Sequence, residues 1–148
     1  MTDSIKLHYL VDGNDFISAG EASADVKRVM KQIGIDAATT RKVSIAMYEG
    51  EINMVIHAGG GEADVTIEDN KVTIILTDYG PGIKDVSLAM TEGYSTAPDN
   101  VRSLGFGAGM GLPNMKRYTD EMEIKTAPNA GTTVKMTILI SDATSIPD

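Results

Sequence analysis

The chain of 148 residues contains no cysteine. This absence excludes disulfide bonds, thiolate catalysis, iron–sulfur clusters and cysteine-ligated zinc. No stretch approaches the roughly 20 consecutive apolar residues of a membrane-spanning helix, and residues 1–31 lack the pattern of a secretory signal. Basic residues are scarce too, because 13 lysines and arginines stand against 21 acidic residues, for a formal net charge of −8. These shortages predict a cytoplasmic soluble domain without nucleic-acid or membrane partners.

Apolar periodicity predicts a single domain over residues 1–140, followed by a short tail at 141–148. Alternation over residues 5–11 indicates a strand, and helical patterns follow at 16–33 and 36–57. The other predicted elements are strands at 63–67 and 72–77, a glycine-rich lid at 78–111, a helix at 112–120, and strands at 121–126 and 132–140. This order predicts an α+β fold, a two-layer α/β sandwich whose mixed, mostly antiparallel sheet carries helices on one face.

Three polar residues of the second predicted helix share one face. At about 100° per residue, Glu49 and His57 each lie about 40° from Asn53, whereas Glu51 lies about 160° away. An asparagine inside a helix is mildly unfavourable, and an amide oxygen directed at hydrated Mg²⁺ would explain it. A carboxylate one turn earlier could orient or deprotonate a nucleophile. A solvated helix face is the alternative interpretation.

An aspartate and two glycines follow the strand predicted at residues 72–77. The carboxylate of Asp78 could accept a hydrogen bond from an exocyclic amine such as that of adenine. Gly80 and Gly82 would allow tight backbone turns beside a flat ring. An ordinary strand-ending turn uses the same residue types.

Alternating glycines, Gly107, Gly109 and Gly111, precede the short helix predicted at 112–120. Successive N–H groups and a helix start suit a polyphosphate, and a flexible hinge is the alternative. The segment is not a P-loop, because no Gly-Lys-Ser/Thr sequence follows it. It is not a Rossmann fingerprint either, because no strand precedes it.

Taken in order, these motifs resemble those of the GHKL ATP-binding superfamily, whose Bergerat fold is shared by histidine kinases and bacterial anti-sigma-factor kinases. The segment 49–57 resembles its N box, 78–82 its G1 box and 107–111 its G2 box. The pair Gly131-Thr132 resembles the Gly-Thr that closes the adenine pocket. Within the anti-sigma-factor serine/threonine kinase group, further likeness at 91–96, 109–117 and 120–124 points to the stressosome switch-protein kinase.

The resemblance implies a site for ATP and Mg²⁺, and it implies a role for each matching residue. Asn53 would ligate Mg²⁺, and Glu49 would be the catalytic base. Asp78 would read adenine with support from Thr132. The glycines of the G1 and G2 boxes would bind the nucleotide: Gly80, Gly82, Gly107, Gly109 and Gly111.

The resemblance further implies an ATP-dependent serine/threonine protein kinase of bacterial partner switching that phosphorylates a small STAS-type regulator. The implied partner is a STAS-domain regulator or a sigma factor, and a homodimer is left open. The second hypothesis is an ATP-dependent module that binds a sigma factor or regulator with little or no phosphotransfer. The Glu49 carboxylate on the Asn53 face favours catalysis. Glu51 stands where the family usually has a small or apolar residue.

Overall fold

A computed structural model of the chain describes residues 4–13, 19–83, 90 and 111–140. Eight elements lie in these residues, in the predicted order β-α-α-β-β-α-β-β. The strands are β1 (Ile5–Asp12), β2 (Gly60–Ile67), β3 (Lys71–Asp78), β4 (Glu121–Thr126) and β5 (Thr132–Leu139), and the helices are α1 (Glu21–Gln32), α2 (Ala37–Ala58) and α3 (Gly111–Arg117).

The five strands form one sheet in the order β1-β2-β3-β5-β4, and every neighbouring pair is antiparallel. The central strand β3 therefore lies beside β5, although about 50 residues separate the two in sequence. Their register pairs Asp78 with Thr132. The topology thus places the first residue of the 78–82 motif beside the last residue of the Gly131-Thr132 pair.

The helices cover one face of the sheet, as the predicted fold class requires. Alternate residues of β3 and β5 point into a core shared with α1, α2 and α3, and fully burying each such aliphatic side chain contributes about 1.5–3 kcal/mol. Helix α2 is the central helix, since it packs against both other helices and against four of the strands. The buried apolar strand residues of this layer are Val11, Ala63, Val65, Ile67, Val72, Ile74, Leu76, Val134, Met136 and Ile138. The predicted α+β two-layer fold is confirmed, but the predicted mixed sheet is wrong, because all four strand pairs of the described residues are antiparallel.

Helix α2 has the ends that its sequence predicts. Asp36 is its N-cap and accepts a hydrogen bond from the backbone N–H of Thr39 at 2.9 Å. Gly59 ends the helix with a φ of 73°, a left-handed conformation that glycine adopts without strain. No helix among the described residues is both long and apolar enough to cross a membrane.

Helix α1 begins later than predicted. The pattern predicts a start at residue 16, but Ala19 and Gly20 form a turn and the helix begins at Glu21. Gly20 has a φ of 102°, and a side chain there would press on the ring of Tyr48. The predicted start is therefore wrong, and residues 16–18 lie outside the described residues. Most of the predicted lid, including Gly107 and Gly109, also lies outside them.

Candidate functional site

The structure places Glu49, Asn53 and His57 along one side of α2, as the helical spacing predicts. Asn53 and His57 line a cavity between α2 and the ends of β3 and β5. The amide of Asn53 is half-buried and has no hydrogen-bond partner among the described residues. Its oxygen is therefore available to a ligand in this cavity.

Asp78 lies at the end of β3, on the wall of the same cavity. Its Oδ1 accepts hydrogen bonds from the backbone N–H groups of Gly80 at 3.0 Å and Thr132 at 3.1 Å. These two bonds hold the carboxylate in one orientation. Oδ2 has no partner in the described part of the chain, so the group can accept one more hydrogen bond from a ligand amine.

Most of the remaining cavity wall is apolar. The chemistry of this wall suits a flat heterocycle with one amino group, because the ring would gain contacts with side chains and the amine would meet the Asp78 carboxylate. The apolar lining comes from α2, β3, β5, α3 and the turn after β3, through Met54, Leu76, Val134, Met115 and Ile83.

The turn that follows β3 is fastened to the loop between β4 and β5. Asn129 donates its backbone N–H to the Pro81 carbonyl at 2.9 Å. Gly82 has a φ of 82°, and a Cβ there would overlap the carbonyl of Ala127. A glycine is therefore required at position 82 to let the two loops meet.

Thr126 is a site-supporting residue that the motifs do not predict. Its hydroxyl accepts a hydrogen bond from the Ile83 N–H at 2.8 Å and lies 2.9 Å from the hydroxyl of Thr132. It thus ties the turn after β3 to the start of β5. The feature of the sequence that could have indicated Thr126 is the predicted β4–β5 hairpin. Its register places Thr126 directly opposite Thr132.

Thr132 is 7% exposed, and its backbone N–H reaches Asp78 as described above. Thr132 and Asp78 therefore lie next to each other, as a supporting role for Thr132 requires. Gly111 is the first residue of α3, while the other two glycines of its motif lie outside the described residues. The segment's predicted contact with phosphates remains a prediction.

His57 is mostly buried beside Asn53, and this burial lowers its pKa. The imidazole is therefore neutral near pH 7, with one nitrogen donating and the other accepting hydrogen bonds. A neutral ring beside the cavity adds no charge that would compete with a cation.

The described residues contain no cluster of three or more histidine or acidic side chains suited to hold a metal ion. Mg²⁺ in nucleotide sites usually takes one or two protein oxygens and completes its shell with phosphate oxygens and water. The free amide oxygen of Asn53 fits that role, and no larger protein ligand set is needed.

Glu49 borders a second groove, which runs between α1 and α2. Ile45, Glu49 and Asn53 follow one another at four-residue spacing, so this line of residues leads from the groove to the cavity. Glu49 can therefore be approached from the groove. The groove is lined by Gly20, Ser23, Ala24, Lys27, Ser44, Ile45, Tyr48 and Glu49.

Glu51 points away from the site, as predicted, and is only 2% exposed. Its Oε2 accepts hydrogen bonds from the N–H groups of Gly20 at 2.8 Å and Ala22 at 3.2 Å, and its Oε1 accepts one from Ser23 at 3.0 Å. The carboxylate thus caps the N-terminus of α1 from a neighbouring helix. This structural role accounts for an acidic residue at a position usually small or apolar in the family.

Residues 15–138 match the family described as the Histidine kinase-like ATPase domain. The chain belongs to this family. The match covers most of the chain and confirms the resemblance that the three motifs carry.

The curated relatives include an anti-sigma factor and a serine/threonine kinase. An anti-sigma F factor of Caldanaerobacter subterraneus is 36% identical over 100 residues, which cover 64% of this chain and 66% of that protein. The serine/threonine-protein kinase RsbT of Bacillus subtilis is 28% identical over 113 residues, covering 74% of this chain and 79% of RsbT. The chain thus aligns with slightly less than two thirds of the length of the first of these relatives.

The fold also resembles solved structures. The RsbU and RsbW domains of a Mycobacterium tuberculosis protein align with a TM-score of 0.61 at 19% identity, over 91% of this chain and 32% of that one. At this level of identity the likeness shows the fold alone. It agrees with the two-layer architecture predicted from the sequence.

Proposed function

We propose that the protein is an ATP-dependent serine/threonine kinase of bacterial partner switching, and that it phosphorylates a small STAS-type regulator in the cytoplasm. The observation that carries the proposal is the position of Glu49. Its carboxylate lines the α1–α2 groove, one helical turn from Asn53, which lines the cavity. A base in this place can meet a hydroxyl that enters from the groove.

Asp78 and its neighbours would select the nucleotide. Oδ2 of Asp78 would accept a hydrogen bond from the exocyclic amine of adenine, while the apolar walls would contact the ring. Guanine has a carbonyl at the corresponding position, so two acceptors would face each other there. The site is therefore proposed to prefer ATP over GTP.

Asn53 and Glu49 would position the metal ion and the hydroxyl group that accepts the phosphoryl group. The amide oxygen of Asn53 would be a ligand of Mg²⁺, which supplies charge neutralisation to the phosphates when bound. Glu49 would accept the proton of the incoming serine or threonine hydroxyl. The hydroxyl oxygen then bonds to the γ-phosphorus, the bond from that phosphorus to the β–γ bridging oxygen breaks, and ADP leaves.

The second candidate is an ATP-dependent module that binds a sigma factor or regulator with little or no phosphotransfer. The observation that favours it is that a relative is named anti-sigma F factor. The kinase reading is supported by the relative named as a serine/threonine kinase and by the Glu49 carboxylate, which simple nucleotide-gated binding would not require.

The test combines calorimetry with transfer of labelled phosphate to a STAS-type protein encoded beside the gene. We expect Asn53→Ala to abolish Mg²⁺-dependent ATP binding. Glu49→Gln should keep ATP affinity within about threefold and lose about 10²- to 10⁴-fold in transfer rate, the usual contribution of a general base. Glu62→Gln, which changes a carboxylate on the far face of the sheet, is the matched control.

Transfer at the wild-type rate by Glu49→Gln would contradict the proposed base. ATP-dependent association with a partner but no label on any serine or threonine would select the binding module. Wild-type ATP affinity in Asn53→Ala would contradict the proposed metal ligand.

A further inference from the structure

Asn114 contacts the carboxylate to which we assign the role of base. Its Nδ2 donates a hydrogen bond to Oε2 of Glu49 at 3.3 Å, and its Oδ1 accepts one from Nη1 of Arg117 at 3.2 Å. A carboxylate only accepts and a guanidinium only donates. The two contacts together therefore fix which end of the Asn114 amide faces Glu49.

Asn114 lies on α3, three residues after Gly111. This helix packs directly on the part of α2 that carries the base. Met115 is fully buried, and a Cβ added at Gly50 would lie 3.2 Å from its Cε. The position of α3 and the conformation of Glu49 are thus linked by two adjacent residues, one through packing and one through a hydrogen bond.

The contact suits a carboxylate that has to accept a proton. Among the described residues it occupies Oε2 alone, which leaves Oε1 of Glu49 available to a hydroxyl. Asn114 is neutral and orients the carboxylate without neutralising its charge. A lysine or arginine in its place would stabilise the charged form more strongly and make a weaker base.

We propose that Asn114 is a positioning residue that holds the Glu49 carboxylate in the orientation needed to receive the hydroxyl proton. Through this contact, α3 controls the geometry of the base. The inference rests on the proposed kinase function, and it concerns the transfer step and not the binding of ATP.

The first variant is Asn114→Leu, which keeps the size of the side chain and removes the donor. ATP affinity should stay within about twofold of wild type. The transfer rate at saturating Mg²⁺-ATP should fall about 10- to 100-fold, the loss expected when a catalytic group is misplaced by about 1 Å. Lys116→Gln, an exposed change on the same helix, should keep the wild-type rate.

The second variant is Asn114→Asp, whose side chain has nearly the same shape as asparagine. It tests whether Asn114 positions the base or only supports the structure. It sets a negative charge against Glu49, and a like charge disfavours ionisation of its neighbour. The acidic limb of the pH–rate profile should therefore move up by about 1 pH unit. A purely structural contact would lower the rate equally at every pH.

Unfolding by urea supplies a measurement that does not depend on transfer. In a cycle of Glu49→Ala and Asn114→Leu, the stability lost in the double variant should be smaller than the sum of the two single losses. A wild-type rate and an unmoved pH profile in the Asn114 variants would overturn the proposal, as would strict additivity in the cycle. Absence of transfer by the wild-type protein would instead contradict the proposed function, while non-additivity would still support the Asn114–Glu49 contact.

Discussion

Two glutamates of α2 take opposite roles although only one residue separates them. Two steps along a helix turn a side chain by about 200°. Glu49 therefore lines the α1–α2 groove one turn from Asn53, while Glu51 is buried against the start of α1. At the residue scale, helical phase decides which carboxylate can act on a ligand.

The two histidines of the chain are predicted to have different pKa values. The hydrogen bond between His8 Nδ1 and Asp64 Oδ1, 2.6 Å long, raises the pKa of His8, and burial lowers the pKa of His57. In a proton NMR titration, His57 should lose its proton at lower pH than His8. Stability contributed by the His8–Asp64 pair is present below about pH 6.5 and is lost as the pH rises through the raised value.

The substitution Asp64→Asn serves to check the cause. It should lower the titration midpoint of His8 toward the ordinary value and leave that of His57 unchanged, because the two rings lie on different sides of the sheet. His8→Gln assigns the two signals. A midpoint of His57 above that of His8 would contradict the burial of His57 in the cavity wall.

Sequence patterns predict only some residues of the site. The positions of Asn53 and Glu49 on one helix follow from local spacing, and they could be predicted. The contacts of Thr126 with Ile83 and of Asn114 with Glu49 could not, because the partners are 43 and 65 residues apart and local periodicity says little about contacts at such distances. The hairpin indicated only that Thr126 lies opposite Thr132.

At the scale of elements, α1 depends on α2 for its first turn. Gly20 provides no side chain, and the free N–H groups at the start of the helix bond to Glu51 instead. This explains why the predicted start of α1 was wrong. The usual cap signal is a polar side chain adjacent in sequence, whereas here the cap is contributed by residue 51.

We expect Glu51→Ala to lower the free energy of unfolding by about 2–4 kcal/mol, because three backbone donors lose a charged acceptor. Urea denaturation monitored by circular dichroism measures the change. Glu51→Gln should recover part of the loss, because its amide oxygen can still accept.

Glu49→Ala is the control on the same helix, since Glu49 accepts no backbone hydrogen bond among the described residues. Its cost should stay below about 1 kcal/mol. An equal loss in both alanine variants would show that the cap contributes nothing specific.

At the scale of the whole molecule, the site forms only where α2 lies across the sheet. Asp78 ends the central strand, Thr132 begins its neighbour, and Asn53 faces both from the helix above. A ligand in this cavity would therefore contact both layers of the fold. Its binding energy would add to the stability of the folded chain as a unit.

A thermal unfolding series tests this coupling together with the proposed nucleotide. Mg²⁺-ATP at 100 times its dissociation constant should add about 2.7 kcal/mol, which corresponds to about 5–11 °C for a domain of this size. GTP at the same concentration should give a much smaller shift. Asp78→Asn, which exchanges an acceptor for a donor toward adenine, should lose most of the ATP shift.

Two outcomes of the thermal unfolding series would contradict the proposed role of Asp78. Equal shifts with ATP and GTP would contradict base reading by Asp78. A full ATP shift in Asp78→Asn would do the same. Glu62→Gln on the outer face of the sheet should behave as wild type, which guards against a general effect of removing a carboxylate.

The sequence by itself determined the elements, their order, the fold class and the shared face of Glu49 and Asn53, because these depend on apolar periodicity and helical spacing within one segment. Only the tertiary structure decided the pairing of β3 with β5, the cap of α1 by Glu51, and the contacts of Thr126 and Asn114. Those features need residues distant along the chain to meet, and they form only when the helices pack on the sheet.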